Sequence, residues 1–274
     1  MNVRIKFQKY GAAKFIGHLD VMRYFQKAFR RANIDNEYTK GFSPHQILSF
    51  AAPLGVGLTS DSEYADLQLL SSDTPEIMIK RINAVMTEGF KVTSFRFLKE
   101  REEHQKAVTA MSLLASADYL VSLKDGYTIN DSICSQAEFQ KEFEHFYEKS
   151  IIEIDKKTKT SEKTVDIKPM ISFIAFNKKE YEYKLRGTVN VDSSEIPDRD
   201  KPESVADIYD NGILVYLQLD TGSSVNLKPE LVMEAFYGYL GIPYEKFAWQ
   251  VHRQEVYSRV TESGKLAALD KVER

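Results

Sequence analysis

The spacing of apolar residues over the first hundred positions switches between two and about 3.6, and this alternation constrains the fold more than any other feature of the sequence. Val3, Ile5 and Phe7 alternate with Arg4, Lys6 and Gln8, which predicts a half-buried strand with one apolar and one cationic face. Over residues 18–32 the step lengthens to three and four, and Leu19, Met22, Phe25, Phe29 and Ala32 form the core-facing stripe of a helix. Strands are expected again near residues 46–51 and 63–70. Thr74-Pro75-Glu76 opens a second helix, with threonine as cap and proline at the first helical position, where its missing N–H costs nothing. Met78, Ile82, Val85 and Met86 are its apolar side, Gly89 closes it, and residues 90–98 give a fourth strand. The order β-α-β-β-α-β is that of a ferredoxin-like unit.

After a polar stretch at residues 99–106, which reads as a linker or a solvated strand extension, the plan repeats. Residues 117–123 are a strand, and Ser135-Gln136-Ala137-Glu138 is a capping box before a helix that carries Phe139, Phe143 and Phe146. Residues 151–157 and 165–176 are extended around the Lys/Thr/Ser-rich tip 156–163, an exposed hairpin or flexible loop, and residues 181–189 read as a further strand. Residues 192–210, rich in Pro, Asp and Ser, read as a mobile surface loop. A strand over 213–219, a helix over 229–240 between Pro229 and Gly241, and a last strand over 247–257 follow; Phe247, Trp249 and Tyr257 are its core or edge aromatics. The fold class expected is α+β: two tandem ferredoxin-like domains, residues 1–100 and 115–260, the second with extra strands, and a frayed tail over 261–274.

The helix over 18–32 also carries Arg23, Lys27, Arg30 and Arg31 on the side away from its stripe, with only Asp20 within helical reach to neutralise them. Residues 1–50 hold nine Lys/Arg against three Asp/Glu, formally +6, in a chain whose net charge is −3. A basic lobe on an otherwise acidic protein fits a face that meets a polyanion, and it equally fits docking onto an acidic partner protein.

The motif Phe15, Gly17-His18-Leu19-Asp20, Arg23, Arg30-Arg31, then Gly41-Phe42-Ser43-Pro44-His45, Phe50, Pro53-Leu54, Gly57 and Ser60 resembles the radical SAM-associated protein family, over roughly the first seventy residues. Val165-Asp166-Ile167 and Leu227-Lys228-Pro229 resemble weaker signatures of that family, the second with Lys228 where arginine is usual. The resemblance implies a domain of unknown function found beside or fused to a radical SAM, cobalamin-binding protein, which becomes the expected partner. It supplies no reaction.

Composition removes several alternatives. One cysteine, Cys134, cannot hold an iron–sulfur cluster on three thiolates, so the chain is at most the companion of a radical SAM enzyme. The five histidines lack zinc-site spacing, no P-loop is present, and Gly55-Val56-Gly57 is too short for a dinucleotide fingerprint; no cofactor or metal is expected. No signal peptide or apolar run of the roughly eighteen residues that a membrane span needs is visible, and the lone cysteine fits a reducing compartment, so a cytoplasmic protein is expected.

Three functional readings follow. The first is a noncatalytic companion that binds RNA or presents substrate through Arg23, Lys27, Arg30, Arg31 and Lys40, with Phe42 stacking on a base; Phe42 reads alternatively as a core anchor of its turn. The second is a metal-independent ribonuclease with His18 and His45 as base and acid and Arg23 or Lys40 on the phosphate. For this reading the tandem architecture resembles the repeat-associated RNA-binding and RNA-cleaving proteins of CRISPR systems. His18 reads alternatively as the first residue of its helix, bonded to Asp20 or backbone, and His45 as a turn stabiliser after Pro44. A third reading is a protein-docking adaptor without RNA binding. Asp166, in an alternating strand, needs a partner, either a basic residue of the first domain or a shared groove. His104 and His145 carry no assignment.

Overall fold

In chain order the first elements are β1 (Asn2–Lys9), α1 (His18–Arg31), β2 (Leu48–Phe50), β3 (Thr59–Gln68), α2 (Pro75–Asn83), β4 (Phe90–Phe97) and the single turn α3 (Ala110–Leu113). There follow β5 (Leu114–Leu123), α4 (Gln136–Tyr147), β6 (Glu153–Lys157), β7 (Glu162–Asp166), β8 (Ile171–Ala175), α5 (Lys178–Thr188), β9 (Leu214–Asp220), α6 (Pro229–Leu240), β10 (Trp249–Arg259) and β11 (Leu266–Ala268). The protein is mixed α+β. The structure, a computed structural model, describes residues 1–99, 108–157, 162–190, 203–222, 225–260 and 264–272. The chain divides into two units, one of residues 1–115, 190–206 and 253–274, the other of 116–189 and 207–252.

In the first unit β1 is central. It pairs antiparallel with β3 on one side and β4 on the other, and β2 pairs antiparallel with β3. The unit's part of β10 also neighbours β3 and carries β11. Val3, Ile5 and Phe7 share a core with Val21, Phe25 and Phe29 of α1 and with Met78 and Ile82 of α2. Phe7 and Phe25 sit 4.6 Å apart, centroid to centroid. Gly89, after α2, has φ of +102°, and a Cβ there would lie 2.6 Å from that of Ala13, so only glycine fits the turn.

Three expectations change here. Leu19 is exposed, and Val21 and Ala28 take its place in the stripe with Phe25, Phe29 and Ala32, because α1 is rotated relative to the phase read from the sequence. The cationic face of β1 is not solvated. Arg4 is 2% exposed, with Nε and Nη2 donating to Asp66 at 2.7 and 3.1 Å and Nη1 to the Leu269 carbonyl at 2.9 Å; Lys6 donates to Glu255 at 2.6 Å. The tail is not frayed where it is described: β11 pairs with β10, Leu269 is fully buried, and Tyr64 Oη donates to Glu255 at 2.7 Å, with an Asp270 carboxylate oxygen 3.1 Å from the same hydroxyl. These tail residues cover the second face of β1, so the strand is buried on both sides.

In the second unit β5 lies beside β9, and β9 beside β8, all antiparallel, with the first residues of β10 next to β5. Ser135 caps α4, its Oγ accepting from the Glu138 N–H, and Phe139, Phe143 and Phe146 are buried against Phe236 of α6. β6 and β7 form a separate hairpin, whose tip, 158–161, lies outside the described residues. Residues 181–189, expected as a strand, belong to the helix α5. Asn177 caps it by accepting from the Glu180 N–H at 3.0 Å, and Tyr181 and Leu185, one turn apart, pack on Phe173 and Tyr216. Residues 100–106 of the expected linker lie outside the described residues, as does 192–202 of the expected mobile loop; beyond it Ser204 Oγ and Val205 N both donate to Asp61, at 2.6 and 2.8 Å.

Substituting Asp66→Ala strands the Arg4 guanidinium in the interior and is expected to cost about 3–5 kcal/mol in chemical denaturation, whereas the double variant Arg4→Met/Asp66→Leu recovers most of that loss.

Candidate functional site

The pattern Val3, Ile5, Phe7 continues by one more step of two to Lys9, which therefore points to the same side of β1, just beyond the end of the apolar face. Glu63, directly across from Phe7 on β3, has the same placement. A pocket opens there, lined by Phe7, Lys9, His18, Val21, Phe50, Pro53, Leu54 and Glu63. Its floor is buried: Lys9 is 2% and Glu63 5% exposed. His18 and Pro53 stand at the rim.

The charges on this floor are unevenly matched. Glu63 is committed to Arg253, itself 4% exposed, whose Nε lies 3.0 Å from the carboxylate and whose Nη2 donates to the Ala52 carbonyl at 3.1 Å. Lys9 Nζ donates to the Ile16 carbonyl at 3.0 Å, so that segment and the start of α1 are tied to the pocket floor. Burial pushes the Lys9 ammonium below its usual range, with Arg253 adding to the effect and Glu63 opposing it. The His18 ring stands edge-on to Phe50 at 5.3 Å. Its pKa is lowered, first by burial and then by the charge of Lys9.

The second group of residues lies on the outer face of α1. Arg23, Lys27, Arg30 and Arg31 are all exposed. Arg23 pairs with Asp20 at 3.2 Å, both well solvated, and Arg31 donates to the Val85 carbonyl at 3.0 Å; Lys27 and Arg30 have no protein partner among the described residues. The 38–46 loop is fastened to this helix by Gln46, whose Nε2 donates to the Gln26 carbonyl at 3.2 Å and reaches the Tyr38 hydroxyl at 3.4 Å. Lys40, Gly41, Phe42, Ser43, Pro44 and His45 are all exposed. Phe42 is fully so, which overturns its reading as a core anchor. Gly41 has φ of +121°, the conformation that lets the loop turn at its tip.

His45 belongs to this loop and not to the pocket lining. Its backbone N–H donates to Thr39 Oγ1 at 3.1 Å, while Nδ1 lies 3.1 Å from the same hydroxyl and 3.4 Å from the Ser43 carbonyl. His18 and His45 thus have separate surroundings. Asp166 accepts from the backbone N–H groups of Ile152 and Lys168, both at 3.0 Å, which is how its half-buried charge is satisfied. Lys228 is the exposed cap residue of α6. His145 is exposed on α4, and His104 lies outside the described residues. Lys9, Glu63 and Arg253 escaped the sequence reading, although the step from Phe7 to Lys9 marks the first of them.

The model of a family described as an uncharacterized protein conserved in bacteria, DUF2344, matches residues 2–229. The chain belongs to this family. The match takes in the pocket-lining residues, the α1 face, the Gly41–His45 turn and Asp166 together. No curated protein matches the chain. Among the described residues no helix is long and apolar enough to cross a membrane, and no group of acidic, histidine or cysteine side chains is arranged to hold a metal ion.

By NMR titration the His18 imidazole is expected to have a pKa below 6.5, and Lys9→Met to raise it by removing the neighbouring positive charge. The sign for stability follows from the lowered value: the neutral ring is preferred in the fold, so its contribution is complete above about pH 6.5 and is lost as pH falls through the folded pKa. A His18→Gln variant should lose that part of the acid dependence.

Proposed function

We propose that this protein is a noncatalytic, cytoplasmic companion of a radical SAM, cobalamin-binding enzyme, and that it binds single-stranded RNA and presents it as substrate through the first unit. The observation that carries the RNA part is the wholly exposed Phe42 at the tip of a loop fastened to α1 beside exposed Lys27 and Arg30. A solvated aromatic offers a stacking platform for an unpaired base, and the helix cations supply contacts to the phosphates. The association with a radical SAM enzyme is supported by the motif from Phe15 to Ser60.

The strand order supports a tandem ferredoxin-like reading of the architecture. In the first unit the neighbours run β4-β1-β3, with β2 on β3, and in the second β10-β5-β9-β8, with the β6–β7 hairpin and α5 as insertions. Such a plan resembles that of the repeat-associated RNA-binding proteins. It favours no particular chemistry, since the ferredoxin-like fold hosts many functions. The separate surroundings of His18 and His45 give cleavage by that pair no support.

Binding of the purified protein to total cellular RNA is expected to weaken steeply between low and physiological salt, and to be lost in a variant with Arg23, Lys27, Arg30 and Arg31 reversed to glutamate. Phe42→Ala should cost about tenfold in affinity, the lower range of one lost base stack, with the salt dependence unchanged. No RNA binding by the parent protein at low salt would overturn the RNA reading and leave a protein-docking adaptor, to be sought by pull-down with the radical SAM enzyme.

A further inference from the structure

The pocket beneath the start of α1 plays no part in the RNA contacts just described, yet its buried floor carries an excess of positive charge. Glu63 is matched by Arg253, and no other acidic group lines the cavity, so Lys9 stands without an ion-pair partner among the described residues. Of the three ammonium donors of Lys9, one reaches the Ile16 carbonyl, and the others are unused among the described residues. A buried ammonium in that state is costly unless an anion enters. At the rim the His18 ring adds a donor, while Phe50, Pro53 and Leu54 form an apolar wall.

We propose that this pocket holds the terminal phosphate of the RNA strand, with Lys9 and His18 as its donors and the last ribose against Phe50, Pro53 and Leu54. The proposal rests on the RNA reading above. A terminal phosphate is favoured over an internal one because Lys9 lies at the buried floor and a chain has to enter and leave around an internal phosphodiester, whereas an end only has to enter. A phosphate monoester also offers three terminal oxygens to the unused Lys9 donors and the ring nitrogen. Phosphate on Lys9 opposes both influences that push the amine and the imidazole toward their neutral forms.

The test compares one short single-stranded oligoribonucleotide in three forms, with a 5′-phosphate, a 3′-phosphate, or hydroxyls at both ends, bound to the full chain at a single salt concentration. One phosphorylated form is expected to bind about tenfold tighter than the hydroxyl form. That ratio should fall to about one in Lys9→Met and in His18→Gln, the latter included because Lys9→Met removes a buried charge and can disturb folding. The ratio should survive in His145→Gln, on the exposed face of α4. Equal binding of all three forms overturns the phosphate site and leaves the RNA reading intact, as does a preference that persists in both pocket variants. Failure of all three forms to bind at low salt overturns the RNA reading, and the phosphate site with it.

Discussion

The pairing of Arg4 with Asp66 is the interaction on which the first unit depends. β1 is flanked on both edges by β3 and β4 and covered on both faces, yet its sequence alternates apolar with charged residues. A strand of that composition is tolerable in the middle of a sheet only if each buried cation finds a fixed acceptor. Asp66 serves Arg4 through two oxygens and also accepts from the Ala110 N–H, while the Leu269 carbonyl takes a further guanidinium proton. One carboxylate therefore ties together β1, β3 and the segment after β4. Such a pair adds little net stability over apolar residues of equal size, but it penalises any register that leaves the guanidinium unmatched.

The same strand explains the pocket. Its apolar face runs out at Phe7, the next side chain on that side is Lys9, and Glu63 lies across the ladder from Phe7. At that margin α1 begins, and the backbone leading into it accepts from Lys9. The buried charges are thus a consequence of where the helix starts relative to the end of the apolar stripe. They share the site with four residues of the recognisable motif, His18, Phe50, Pro53 and Leu54, three of which lie more than thirty residues beyond the first.

The outer face of α1 and the loop from Tyr38 to Gln46 have a simpler origin. Four cations on one side of an amphipathic helix stay in water because the opposite side carries Val21, Phe25, Ala28 and Phe29. The loop is held by the side chain of Gln46 and by the Thr39–His45 contacts, so Phe42 at its tip is presented and not packed. Presentation of a large aromatic on a held loop beside cations is what makes this surface the functional candidate.

The sequence by itself determined most of the secondary structure, the start of α2 at Pro75, the Ser135 cap of α4, the exposure of the α1 cations and the pairing of Asp20 with Arg23. These depend on periodicity and on residues within a few positions of one another, which local spacing records directly. It misjudged α5, where an Asn177 cap and the Tyr181–Leu185 step were read as alternation, and Leu19, where a short stripe admits two rotational phases. Only the tertiary structure decided that the charged side of β1 is buried, because the residues that cover it, Glu255, Leu269 and Asp270, lie some 250 positions away. It alone brought Lys9, His18 and Glu63 to one pocket and set Arg253 against Glu63, since burial and pKa depend on what packs against a group, and that is a property of chain topology.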